Sequence, residues 1–428
     1  MSRLGVVVAA LVGGLCGGYQ AAPRGRPRRG LWSAPAALEV PPAAAPERGA
    51  VAAWHAERRA LITRKVGRGA VDALRRPTPL RTLGALACAN AAQVWLAVHC
   101  ASDLWLLAAC TVGGWLSLVQ FACLHDVLHG GADVSGLKAK DNRALRRSVL
   151  FVGSQPSAFG YWLYLSLGHL THHANTGDYG VRDLFESAQL EFEDGDSLFV
   201  AHRQETTGAN DDPAISISRF SFRNAWVPGN GWVNAAAYCA SALAERAALF
   251  CNDKVVAATG RNGVFFPNKP DAFHAACAGY ARFSAVAQGA VFLAAGCDAR
   301  VFLYLVVAET AWQLPFFPAA ALFVSNHGAL DDATPPTRSV YGGGAFDALC
   351  VAANYHTEHH DFPDVPLWRL AKLRALAGPE FYPDSPPWHT VIADAFRRPV
   401  TYKKWTRAEL PQVGAAKTQP RLREPATV

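Results

Sequence analysis

The run Asn354-Tyr355-His356-Thr357-Glu358-His359-His360-Asp361-Phe362-Pro363 places three imidazoles within five residues and ends on a Phe-Pro that stops a helix after the last of them. In a helical stretch His356, His359 and His360 stand at i, i+3 and i+4, so their ring nitrogens can converge from one face. That geometry suits a metal ion. His169-Leu170-Thr171-His172-His173 repeats the spacing, and His125 and His129 form a simpler i, i+4 pair upstream. The chain has only 14 histidines, so the concentration of so many in three clusters reads as one shared site.

Imidazole serves zinc, copper, iron and nickel alike, so residue type leaves the metal open. The histidines of the three clusters exceed what a single four-coordinate zinc takes and suit two metals with open positions. A soluble di-iron bundle would supply Glu and Glu-x-x-His ligands, which this sequence lacks at matching spacing. An all-histidine pair of iron ions at a membrane surface remains. Such a site binds O2 and generates an oxidant able to take hydrogen from an unactivated C–H bond, which acid–base side chains cannot do. Asp126, Glu358 and Asp361 neighbour the clusters and are expected to accept imidazole N–H groups, fixing tautomer and ring orientation. His125-Asp126-Val127-Leu128-His129 mimics a zinc-protease helix, but the base position holds Asp where Glu is needed, and the other clusters would go unexplained.

The elements that must position these residues are apolar. Of the 428 residues 51% are hydrophobic, and only 18% are charged, against about a quarter in soluble domains. The sequence predicts an all-α integral membrane protein with four spans at about Thr82–His99, Leu104–Leu124, Ala272–Gly296 and Val301–Val324. The spans form two hairpins, and a helical cap of histidine clusters holds a di-metal site. Arg282 and Glu309 interrupt the second hairpin and should face protein or an interface, with a mutual ion pair as one arrangement. An even number of spans puts all three clusters on the side of the basic segment Arg58–Arg81, and His327 falls just past the fourth span on that face. A site at the mouth of such helices implies a lipid chain as substrate.

Around this core, residues 1–48 read as a signal or transit presequence, apolar from Leu4 to Cys16 and then rich in Arg, Ala and Pro. Residues 49–81 form a basic N-terminal element and 82–410 the membrane domain. That domain carries an insertion at about 203–268, read as an ordered or partly ordered loop with a weakly amphipathic Trp232–Phe250. Residues 411–428 read as a disordered tail. Gly153–Leu167 is apolar but short and reads as interfacial. Leu367–Ala377 reads as a short amphipathic helix. The ten cysteines include no C-x-x-C pair and read as small apolar fillers. The net charge of +7 comes from basic clusters flanking apolar runs, and nothing indicates a nucleic-acid partner.

The three clusters resemble the histidine boxes of the membrane fatty-acyl desaturase and hydroxylase superfamily, and within it the sphingolipid Δ4-desaturases. Asn354–Pro363 is similar to that family's third box, and His169–Asp183 to the second box with its glycine–aspartate run. Trp54-His55-Ala56-Glu57-Arg58-Arg59 resembles the His-x-x-Arg-Arg element ahead of the first span. Ala321–His327 and Thr337–Gly342 resemble the segments leading to the third box. The resemblance implies His327 as a ninth ligand beside His125, His129, His169, His172, His173, His356, His359 and His360. It also implies a trans double bond placed between C4 and C5 of dihydroceramide, using O2 and two electrons. C4 hydroxylation and desaturation of a glycerolipid acyl chain are the alternatives. Box one departs from the family in carrying Asp126 where Glu is usual. No His-Pro-Gly-Gly segment or G-x-G-x-x-G turn occurs, so electrons are expected from a separate carrier. Cytochrome b5 fits an endoplasmic reticulum location, and ferredoxin would follow from a plastid address. Arg369, Lys372, Arg374, Arg397, Arg398, Lys403 and Lys404 are the expected docking charges.

Overall fold

Helices make up all the regular structure among the residues described by the computed structural model, which are 50–100, 103–158, 161–162, 165, 169–170, 173, 229–262, 271–324, 326–327, 335–397 and 407–412. The presequence, His172, the glycine–aspartate run and residues 413–428 lie outside them. Helix α1 (Ala50–Val66) and α2 (Arg68–Leu74) are separated by Gly67, whose φ of 89° makes the turn. Helix α3 (Pro79–Val98) starts on a proline, where a missing N–H costs nothing. Helix α4 (Trp105–Leu128) runs back antiparallel to it and is the one helix among the described residues long and apolar enough to cross a membrane by length and composition. These two cover the residues of the first expected hairpin to within a few positions, and α5 (Ala139–Gly153) follows them.

A π turn at Ala109–Gly113 loosens the carbonyl ladder of α4, and Gln93 of α3 uses what is freed. Its amide donates to the Gly113 carbonyl at 3.0 Å and to Ser117 Oγ at 2.7 Å. The Tyr304 hydroxyl in turn donates to Gln93 Oε1 at 2.6 Å. One buried glutamine therefore ties three helices together. At Gly113 a Cβ would lie 2.7 Å from Tyr304 Oη and 3.1 Å from Ala308 Cβ, so the helices approach as closely as glycine permits.

The second half departs from expectation at two places. Helix α7 (Asp271–Ala294) covers the residues read as the third span, whereas those read as the fourth, Val301–Val324, do not form one helix. Helix α8 (Arg300–Ala311) ends where Pro315 would clash with the carbonyl four residues earlier, that of Ala311. Pro318 follows, and only the single turn α9 (Ala320–Phe323) resumes the helix. The other departure is the insertion. Its described part is a 29-residue helix, α6 (Gly231–Thr259), opened by Asn230 Oδ1 accepting from Val233 N at 3.2 Å and closed by Gly260 at φ 77°. It packs along α7 and α8.

The expected Arg282–Glu309 pair does not form. Arg282 is spent on the Ala257 carbonyl of α6 at 2.9 Å, and buried Glu309 accepts from Ser157 Oγ at 2.7 Å. The amphipathic α13 (Trp388–Arg397) lays Val391, Ile392, Ala395 and Phe396 inward, and Asn234 of α6 donates to the Phe396 carbonyl at 2.8 Å. Residue 411, expected in the tail, is tied down, since Trp54 Nε1 donates to its carbonyl at 2.8 Å. The cysteines among the described residues are free thiols.

Between α9 and α13 three short helices form the cap: α10 (Gly344–Leu349), α11 (His356–Asp361) and α12 (Leu370–Ala377), the last preceded by a 3-10 turn at Leu367–Arg369. Helix α11 carries the third histidine cluster and packs against α1.

Candidate metal centre

Eight of the nine expected ligands fall into two adjoining groups, and His172 is outside the described residues. His125, His129, His169, His173 and His359 each offer one ring nitrogen within 4.8 Å of the others, and His327, His356 and His360 form the second group. The rings of His173 and His360 are 4.3 Å apart where the groups meet. The third cluster thus does not converge on one point as its spacing suggested. Four residues along a helix return to within about 40° of the starting direction, three fall about 60° short, and so His356 and His360 stay together while His359 turns to the other group. The pairs 125/129 and 169/173 obey the same i, i+4 rule.

The separations have a chemical meaning. His129 Nε2 is 3.1 Å from His169 Nε2, which is 3.1 Å from His173 Nε2, which is 3.0 Å from His359 Nε2. His327 and His356 bring their Nε2 atoms to 2.7 Å. Nitrogens bound to one ion at roughly 2.1 Å lie about 3.0 Å apart at right angles and about 3.4 Å apart tetrahedrally. Each inner Nε2 of this chain of four meets two neighbours, whereas a nitrogen of a neutral imidazole has either one proton or one lone pair, so hydrogen bonds cannot satisfy all three contacts, and lone pairs so gathered fit a shared cation. Burial, and then the neighbouring imidazoles, hold His359 well below its ordinary pKa, so the ring is neutral and its lone pair free to ligate. The donor set fits a metal site. Nδ1 of His327 faces the Pro336 carbonyl at 3.3 Å, the kind of outer partner that fixes a ligating tautomer.

The three acids act otherwise than expected. Among the described residues none of them is bonded to a cluster imidazole. Asp126 accepts from Thr82 Oγ1 at 2.7 Å and from Leu367 N at 3.1 Å, clamping the end of α4 to the start of α3 and to the cap. Glu358 accepts from Ser339 Oγ and Tyr341 Oη, both at 2.5 Å, and its burial pushes it up to about 7. Asp361 does accept an imidazole, but that of His55 at 2.7 Å, together with Arg58 Nε at 3.0 Å and Tyr382 Oη at 2.9 Å. Burial opposes its ionisation, yet the Arg58 charge and the His55 and Tyr382 hydrogen bonds together hold it below the usual carboxylate range. Each acid thus fixes the backbone carrying a cluster.

His55, which the sequence does not place among the ligands, is buried with its ring 5.2 Å from that of His360 and its Nε2 3.2 Å from Thr337 Oγ1. The one signal for it was its place in the His-x-x-Arg-Arg element. Arg58 and Arg59 of that element reach Asp361, at its side chain and its carbonyl respectively.

The Asp126 clamp gives a direct prediction. A Cβ at Gly131 would fall 2.3 Å from Asp126 Oδ1 and 2.4 Å from its Cγ, while Gly131 N donates to the Asp126 carbonyl at 2.8 Å. Gly131→Ala should expel the carboxylate from Thr82 and Leu367 and cost about 2–3 kcal/mol, the loss of buried charged hydrogen bonds. It should lower the thermal midpoint and metal content together, measured on detergent-solubilised protein. Wild-type values for both would show that the clamp does not hold the first cluster.

The helical bundle is capped by two histidine groups whose donor set fits a metal site at one end of a membrane-length helix. Residues 199–391 match the family model for fatty acid desaturase. The chain is also 38% identical over 80 residues to a putative sphingolipid delta(4)-desaturase/C4-monooxygenase of Caenorhabditis elegans, covering 19% of this chain and 21% of that one. It is 36% identical over 117 residues to a sphingolipid delta(4)-desaturase of Schizosaccharomyces pombe (21% and 32%), and 32% identical over 115 residues to one of Mus musculus (26% and 34%). The chain therefore spans about a fifth to a third of the length of these relatives. No solved structure matches it. The match to the fatty acid desaturase family model thus covers a little under half of the chain, and the names of these similar proteins point to the same family.

Proposed function

We propose that this protein is a sphingolipid Δ4-desaturase that converts dihydroceramide to ceramide by introducing the trans C4–C5 double bond. The observation that carries the reading is the pair of adjoining histidine groups in a chain whose similar relatives bear that activity in their names. In this reading the two groups hold two iron ions, with His125, His129, His169, His173 and His359 around one and His327, His356 and His360 around the other. His172 completes the set. Four spans anchor the site, α3, α4, α7 and the broken segment from α8 to α9.

The bound metals would supply O2 activation, and the overall reaction balances. Two hydrogen atoms, that is two protons and two electrons, leave the substrate, a donor adds two electrons, two further protons enter, and one O2 becomes two waters. The chain's own residues hold and orient. Asp126 fixes the end of α4, and Glu358 and Asp361 fix α11, two of the helical segments that present the rings. Fully buried Phe362 and nearly buried Phe121 and Tyr355 keep water from the flanks of the clusters.

A separate carrier, cytochrome b5 or ferredoxin, delivers the electrons in this reading. Arg369 is not a docking charge, since its guanidinium donates to the carbonyls of Ala73, Leu74 and Arg76. Arg374 lies 3.6 Å over the Tyr341 ring and pairs with Asp384. Lys372 and Arg397 stay exposed for an acidic partner, and Arg398, Lys403 and Lys404 are outside the described residues. The endoplasmic reticulum is the favoured location and a plastid membrane the alternative.

Expression in a host lacking Δ4 activity, followed by mass analysis of its long-chain bases, tests the proposal. A C4–C5 double bond is the expected product. A 4-hydroxylated base would instead favour the C4-monooxygenase half of the Caenorhabditis elegans relative's name, and a change confined to fatty acids would overturn both.

A further inference from the structure

The second histidine group is drawn from two stretches of chain, one carrying His327 and the other α11. Between them runs a buried, non-helical segment, residues 336–340, which is bonded to both. On one side Arg338 N donates to the Asn326 carbonyl at 2.8 Å, and the Pro336 carbonyl faces His327 Nδ1 at 3.3 Å. On the other, Val340 N donates to the Asn354 carbonyl at 3.1 Å, Asn354 Nδ2 returns a bond to the Val340 carbonyl at 2.9 Å, and Ser339 Oγ accepts from Thr357 N at 2.8 Å. Five residues of chain therefore set the spacing between His327 and α11.

Thr337, at the heart of this segment, is fully buried, and the hydrogen-bond partner of its hydroxyl among the described residues is His55 Nε2 at 3.2 Å. The other ring nitrogen of His55 is held by Asp361 at 2.7 Å. A neutral imidazole has one N–H and one lone pair. With the Asp361 carboxylate accepting from Nδ1–H, Nε2 is left to accept from the Thr337 hydroxyl. The Pro336 carbonyl and the Thr337 nitrogen belong to one planar peptide unit, so a Thr337 side chain held in place limits how far that carbonyl can swing from His327. A carbonyl on Nδ1 keeps the proton there and leaves the Nε2 lone pair for a metal, and that Nε2 is the atom 2.7 Å from His356 Nε2. We infer that His55, reaching in from α1, is a positioning residue for the second metal, holding the Pro336 carbonyl on His327 through Thr337. The inference rests on the two-metal reading above and names what sets one of the two sites.

Iron binding by purified full-length protein in detergent, read by chelator competition, tests this. Thr337→Val keeps the side-chain shape and removes the hydroxyl. It should weaken one of the two ions about tenfold, the lower end of the range for losing an outer partner of a metal ligand, because Arg338 still holds the segment on Asn326. The other ion should keep its wild-type affinity, and Thr337→Ser, which retains the hydroxyl, should keep both. A purely structural threonine would lower the thermal midpoint and weaken both ions alike. That result overturns the inference, as does a Thr337→Val protein with two wild-type affinities. The coupling must also be reciprocal. Raising the load of the wild type from one iron to two should slow hydrogen exchange at the amides of residues 337–340 about tenfold, and unchanged exchange overturns the inference without any variant having to fold. A wild type that takes up one iron only removes the two-metal reading, and the role of His55 is then decided by whether Thr337→Val weakens that ion.

Discussion

His360→Ala is expected to cost the protein one metal ion per chain and to lower turnover by more than about 100-fold, beyond the range for losing an outer partner of a metal ligand. Among the described residues the second histidine group consists of His327, His356 and His360, so the change leaves two of these donors, below the three that catalytic sites of this kind ordinarily keep. The first group, with five members, would tolerate a single loss better. The His360 ring also packs against His327, His356 and His173 at 4.9, 4.5 and 4.3 Å, so its removal loosens the remaining donors as well. His99→Ala is the matched control, since that ring is exposed and faces only the Trp95 carbonyl and ring. Metal analysis and single-turnover assay of both variants decide the matter, and a His360→Ala protein with full metal content would remove α11 from the site.

The three clusters were legible because metal ligation needs particular residue types at helical spacing, and that combination survives without any knowledge of the fold. The division of the third cluster was legible in principle, since His356 and His360 are four apart and His359 is not in register with them. What spacing could not give was the partner of each acid. Asp126 is bonded to residues 44 and 241 positions away in the chain, and Asp361 to residues about 300 away. No local pattern encodes such pairs. The first hairpin was readable from its apolar runs, whereas the fourth span was misread because mean hydropathy runs on through Pro315 and Pro318, which break the backbone without lowering the apolar content. Helix α6 had its start and stop signals in Asn230 and Gly260, yet the polar stretches around it drew the reading toward a loop. His55 looked like any isolated histidine, because its importance comes from Asp361.

That long-range contact carries the other large effect. Arg58→Ala should destabilise the protein by about 3–5 kcal/mol, the cost of breaking one side of a buried ion pair. Arg58 is 6% exposed and Asp361 0%, so solvent does not screen the charge left behind. Arg58 Nε spans both Asp361 oxygens at 3.1 and 3.0 Å, its Nη2 donates to the Phe381 carbonyl at 2.8 Å, and its guanidinium lies 4.6 Å over Trp54. Alanine removes all of these and leaves a cavity. Arg58→Lys keeps the charge but not the fork, so it should fall between wild type and Arg58→Ala. The pH dependence separates charge from packing. Asp361 has a depressed folded-state pKa, so its stabilisation is fully present above the unfolded value of about 3.9 and is lost as pH falls through the folded value. In Arg58→Ala burial dominates and Asp361 takes up a proton at higher pH. The stability gap between the two proteins should therefore be wide at neutral pH and narrow below about pH 4. Denaturant unfolding of metal-free protein across that range measures it, and a gap constant with pH would assign the whole effect to lost packing and none to the buried charge.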